Sequence, residues 1–113
     1  MMYEYQASIT RVVDGDTLVA EVDLGFEVRF TMPIRLYGIN APELKTPEGV
    51  KARQFAIDWL GAAAWVVTLR TVKDRTEKYG RYLGVIVCDT AKPSLNEALV
   101  ASGNAVPYMG GAR

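Results

Sequence analysis

From Phe26 to Leu36 every even position is apolar (Phe26, Val28, Phe30, Met32, Ile34, Leu36), while the odd ones are Glu27, Arg29, Thr31, Pro33 and Arg35. A period of two predicts a strand with one buried face. If that parity holds, Arg35 points away from the core. Pro33 brings no N–H to a ladder and predicts an edge or a bulge. The runs Ala7–Val13 and Leu18–Leu24 before this segment, and Trp65–Val72 and Tyr82–Cys88 after it, predict four further strands. Turns at Asp14-Gly15 and Leu24-Gly25 would join the first three as a meander.

Between the third and fourth strands the period changes. Thr46 is placed as an N-cap with Pro47 at the first helical position, and Ala52, Phe55, Ala56, Trp59, Leu60 and Ala63 form one apolar stripe. A second helix begins at Ser94, where Ser-x-x-Glu to Glu97 fits a capping box and Gly103 is a natural stop, so Glu97 is read as a cap. Five strands with a helix between the third and fourth is the element order of an OB-fold barrel, a fold whose surfaces commonly bind oligonucleotides.

With 113 residues, half of them hydrophobic, the chain has core material for one domain, residues 1–113. The absence of histidine excludes Ser-His and Cys-His nucleophilic machinery and every His-containing zinc site. The lone Cys88, in the run Leu83–Cys88, is read as a small buried hydrophobe. Catalysis would have to rest on carboxylates, Arg, Lys, Tyr or a bound metal. Thirteen basic and thirteen acidic residues cancel, so no global positive field marks a nucleic-acid binder. Locally, Arg70, Lys73, Arg75, Lys78 and Arg81 outnumber Asp74 and Glu77, the composition of a solvated loop. No apolar run is long enough to span a bilayer and the first residues lack a signal pattern; a soluble, cytoplasmic protein is expected.

The stretch Val12-Val13-Asp14-Gly15-Asp16-Thr17 has a plain explanation, since Asp-Gly between β-branched runs is a common hairpin turn in which positive φ is tolerated. Motifs further along the chain favour another role for it. From "VVDGDT" through "IRLYGINAPE" and "KYGR" to "NEALVASG", the chain resembles the staphylococcal nuclease-like (thermonuclease) family over nearly its whole length.

That resemblance implies a five-stranded OB-fold barrel with two helices and a calcium-dependent, sugar-nonspecific endonuclease that hydrolyses DNA and RNA phosphodiesters to leave 3′-phosphate ends. It also implies roles for particular residues. Asp16, Asn40 and the backbone carbonyl of Ala41 would be calcium ligands, with Asp14 supporting them from the outer shell. Glu43 would be the general base or water-orienting carboxylate, and Arg35 and Arg81 the phosphate clamps. Lys78 and Tyr79 would bind nucleotide, and Tyr108 is a candidate aromatic wall or a packing residue. These residue types suit the chemistry. A phosphodiester repels hydroxide, so its hydrolysis needs positive charge on the non-bridging oxygens and an oriented water. Calcium prefers oxygen ligands, and arginine forks fit phosphate.

Two departures from the family pattern stand out. Asn40 occupies the position where active members usually carry aspartate, which predicts a weaker calcium site. The chain also stops after "GNAVPYMGGAR", without the family's C-terminal helix, and the surface so exposed could support a homo-oligomer. The rival readings are a nucleic-acid-binding module with weak or no catalysis, whose affinity ignores calcium, and an assembly subunit that binds no nucleic acid.

Overall fold

A computed structural model describes residues 2–76, 82–89 and 92–108, with the side chains of residues 2 and 73–76 excepted. Its strands are β1 (Met2–Asp14), β2 (Thr17–Asp23), β3 (Arg29–Leu36), β4 (Ile39–Asn40), β5 (Val66–Thr76), β6 (Tyr82–Val87) and β7 (Val106–Pro107), and its helices α1 (Pro47–Ala62) and α2 (Leu95–Ala101). Five strands close a barrel in the order β1-β2-β3-β6-β5. Every neighbour is antiparallel except β3 and β6, which run parallel through Ile34↔Tyr82, Arg35↔Leu83 and Leu36↔Gly84. This is the mostly β, OB-like barrel with two helices that the element order predicts.

Alternation fills the barrel: Ile9, Val12, Leu18, Ala20, Val22, Ile34, Leu36, Leu69 and Ile86 are buried together. The predicted stripe of α1 packs on them, with Ala52, Ala56 and Leu60 buried and Phe55, Trp59 and Ala63 partly buried. Thr46 caps α1 as expected, its Oγ1 accepting from Gly49 N–H at 2.9 Å. Ser94 and Glu97 form the predicted capping box on α2, and Gly103 takes φ 81° just past its end. None of the helices is long and apolar enough to cross a membrane among the described residues.

Three expectations need correction. The strand predicted from Phe26 begins at Arg29, and Phe26 is fully exposed at the tip of a hairpin where it and Glu27 have φ 55° and 63°. Val28 and Phe30, expected inside, are 51% and 52% exposed. The reason is topological: β3 meets β6 only from Ile34 onward, so residues 29–33 run beyond the barrel with β2 as their one neighbour. Pro33, opposite Val19 of β2, lies on that open edge, as its missing N–H requires. Cys88 is exposed rather than buried, because the β6 ladder ends at Val87 and the chain bends. Finally, the short ladder of β4 with β7, pairing Ile39 with Pro107 and Asn40 with Val106, adds strands too brief to show a period.

Candidate active site

The site begins at the β1–β2 turn. Asp14 pairs with Thr17, leaving Gly15 and Asp16 as the loop, and none of the four adopts positive φ. Gly15 is there for space: a Cβ on it would lie 2.8 Å from the Cβ of both Ala41 and Ala52. The turn is thus wedged between α1 and the segment after β4, which brings Asp16 to Ala41. Asp14 stabilises the loop by accepting from Asp16 N–H at Oδ1, 3.1 Å away.

Asp16 is 8% exposed and its carboxylate is shared among three elements. Oδ1 accepts from Thr17 Oγ1 at 3.2 Å, and Oδ2 accepts from Ala41 N–H at 2.9 Å. Arg35 Nη1 lies 3.3 Å from Asp16 Oδ2, both side chains being largely withdrawn from solvent at 13% and 11% exposure. The same guanidinium donates from Nη2 to Asn40 Oδ1 at 3.2 Å and from Nη1 to the Leu36 carbonyl at 3.3 Å. Its carbon stands 6.0 Å from the centroid of the Tyr108 ring, at the outer limit of a cation–π contact. Arg35 thus points away from the barrel core, with Ile34 and Leu36 buried on either side, as the alternation predicts. Burial, and then hydrogen bonding to and repulsion from Asp16, push the Asp14 carboxyl up from 3.8 to about 6.

A second layer fixes these residues. Asn96 of α2 is 5% exposed; it donates from Nδ2 to the carbonyls of Tyr37 and Gly84 at 2.9 and 3.1 Å and accepts at Oδ1 from Ile86 N–H at 3.2 Å. Tyr108 N–H donates to the Gly38 carbonyl at 2.8 Å, and Gly38 takes φ 81°. Together these bonds hold the turn between Arg35 and Asn40. Beside it, Asn40, Ala41, Pro42 and residues 103–106 line an open cleft of about 240 Å³.

A model of the staphylococcal nuclease homologue family matches residues 33–111. The chain belongs to that family. It is 30% identical to the micrococcal nuclease of Shigella flexneri, over 93% of this chain and 59% of that protein. It is 33% identical to Protein ParB of Escherichia coli, over 93% of this chain and 58% of that protein. Endonuclease YhcR of Bacillus subtilis is 30% identical over 94% of this chain but only 9% of its own length. The chain thus spans less than two thirds of each of these relatives.

Within this nuclease-family domain, the structure brings together Asp14, Asp16, Arg35, Asn40, Ala41 and Tyr108, but not Glu43. The Glu43 carboxylate is 73% exposed and paired with Lys45 at 3.1 Å. Its backbone is well anchored, the carbonyl accepting from Thr46 Oγ1 at 2.7 Å and Thr46 N–H at 3.0 Å. Lys78, Tyr79 and Arg81 lie outside the described residues. Among the described residues, no three His, Cys, Asp or Glu side chains cluster as metal ligands. The side-chain oxygens gathered here are the Asp14 and Asp16 carboxylates and the Asn40 carbonyl, with the Ala41 main chain held against Asp16, a chemistry that suits a hard cation. Burial, and then the contact with Asp16, disfavour the charge on Asp14, and positive charge placed nearby would offset this.

Three supporting residues escape the sequence reading. Gly15 and Gly49 leave room for neighbouring backbone, Gly49 lying directly under the Glu43 carbonyl, and nothing in a glycine's neighbours reports such proximity. Asn96 does carry a signal: it is an uncharged polar residue directly beside Leu95 in a helix whose Leu95 and Leu99 are buried.

Proposed function

We propose that this domain hydrolyses phosphodiester bonds of DNA and RNA without regard to sugar, with calcium as cofactor and 3′-phosphate ends as products. The observation that supports this reading is the convergence of Asp16, Arg35 and Asn40 from three chain segments in a member of a nuclease family. Asp16, Asn40 and the Ala41 carbonyl would hold the ion, with Asp14 behind them. When bound, calcium would supply positive charge to the scissile phosphate.

The chain's own groups would do the rest. Arg35 presents a fork that matches two phosphate oxygens, and Arg81 would add a second. Glu43, held at rest only by an exposed ion pair with Lys45, would orient and deprotonate the attacking water. Attack at phosphorus breaks the bond to the 5′-oxygen, which leaves with a proton, while the phosphate stays on the 3′ side. Lys78, Tyr79 and Tyr108 would bind the flanking nucleotide by charge and stacking.

The test is incubation of single-stranded DNA and of RNA with the purified protein, in millimolar calcium or in chelator, followed by end-group analysis. Calcium-dependent products bearing 3′-phosphate are expected from both. The loss of one ligand charge at Asn40 favours a second reading, a nucleic-acid-binding module of weak catalysis; retained affinity in chelator with no cleavage in calcium would select it.

A further inference from the structure

We propose that the Arg35 guanidinium is the resident counter-ion of the cation site, so that a divalent ion must displace it from Asp16 and Asn40. The inference rests on the reading of those residues as cation ligands. One planar fork spans both of their side-chain oxygens, Nη1 at 3.3 Å from Asp16 Oδ2 and Nη2 at 3.2 Å from Asn40 Oδ1. Arginine cannot shed its proton, so this positive charge is permanent.

A calcium ion bonds oxygen at roughly 2.3–2.6 Å. Bound to both of these oxygens, it would lie within a few ångströms of the guanidinium carbon, and the repulsion would be twice that of two unit charges. Little solvent screens it, because the Arg35 and Asp16 side chains are 13% and 11% exposed. Asn40 fits this arrangement. Asp16, Asn40 and Arg35 taken by themselves sum to zero, so the guanidinium already offsets the Asp16 charge. A carboxylate at position 40 would leave one negative charge over and favour the ion.

Release comes from the substrate's own chemistry. A phosphate offers the Arg35 fork two anionic oxygens in place of one carboxylate oxygen and one amide oxygen. Drawing Arg35 onto phosphate frees Asp16 and Asn40 and removes the repulsion. Cation affinity is therefore low in the substrate-free protein and rises when a phosphate is present.

The experiment is calorimetric titration of calcium into the intact wild-type chain, into Arg35→Gln, and into wild type saturated with dAMP as the phosphate probe. About tenfold tighter binding by Arg35→Gln, and a comparable gain for wild type with dAMP, is expected from removing one adjacent charge. Equal or weaker binding by a folded Arg35→Gln overturns the proposal and leaves the calcium reading intact. Should the variant fail to fold, the dAMP titration decides, and an affinity unchanged by dAMP overturns the proposal. If no form binds calcium, the calcium reading itself falls and this proposal with it.

Discussion

Asn96 Nδ2 donates to the Tyr37 carbonyl at 2.9 Å, fastening α2 to the turn that separates Arg35 from Asn40. Truncation would remove three hydrogen bonds at once, to Tyr37, Gly84 and Ile86, of which the Gly84 carbonyl keeps a further donor, Tyr37 N–H at 2.8 Å. Asn96→Ala should therefore cost about 2–4 kcal/mol by urea denaturation. It should also reduce cleavage in the fraction that stays folded, because the turn is freed. A loss under about 0.5 kcal/mol would mean that the clamp is not needed.

Gly15 makes a prediction that separates space from φ. Its φ is not in the left-handed region, so alanine is allowed by the backbone and excluded only by the Cβ atoms of Ala41 and Ala52 at 2.8 Å. Gly15→Ala should destabilise by about 1–3 kcal/mol through overpacking. The double change Gly15→Ala, Ala52→Gly should recover less than the steric part, since glycine weakens α1. Denaturation of the three proteins checks both statements.

How much could be read from the residues depended on what each inference needed to know. Arg35's direction follows from two buried neighbours in one strand, and the Ser94–Glu97 box from four consecutive residues, so both are local and legible. Phe26 and Phe30 show the same alternation as Ile34 and Leu36 but are exposed, because burial also requires a second neighbouring strand. The same limit applies to Cys88, which lies one residue past its ladder. Gly15, Gly49 and Asn96 act across contacts between distant segments, and the exposed pairing of Glu43 with Lys45 could not be anticipated from the motif around it.

The β2–β3 hairpin carries avoidable strain. Phe26 and Glu27 both take left-handed φ, a conformation Asn-Gly adopts readily and bulky residues do not. Phe26→Asn with Glu27→Gly should raise stability by about 1–2 kcal/mol, Phe26 having no burial to lose at 100% exposure. A thermal midpoint that falls would contradict the hairpin geometry.

Asp14 sets a pH dependence of unusual sign. Its folded-state value of about 6 lies above the ordinary 3.8, so the folded protein binds this proton more tightly than the unfolded chain. Ionised Asp14 costs stability above about pH 6, and that cost is relieved as pH falls toward about 4. In chelator, wild type should gain on Asp14→Asn by on the order of 1 kcal/mol across this window, the discount reflecting partial solvent screening. Parallel stability profiles for the two proteins would contradict the raised value of Asp14 and the burial that causes it.

Glu43→Ala should lower turnover about 10²–10⁴-fold while changing stability little, since the side chain is 73% exposed and in a surface ion pair. Single-turnover cleavage and a thermal melt on the same preparation test the two halves. Full turnover would remove Glu43 from the chemistry.

The central claim is that the carboxylate shared by Thr17, Ala41 and Arg35 is a catalytic cation site. Its most direct test is calcium-dependent cleavage of single-stranded DNA by Asp16→Asn, in parallel with wild type and with circular dichroism to verify the fold. Asparagine keeps the shape and a carbonyl oxygen but removes the charge, so a folded variant should lose at least about 100-fold in rate. A folded Asp16→Asn that cleaves as fast as wild type would contradict the account.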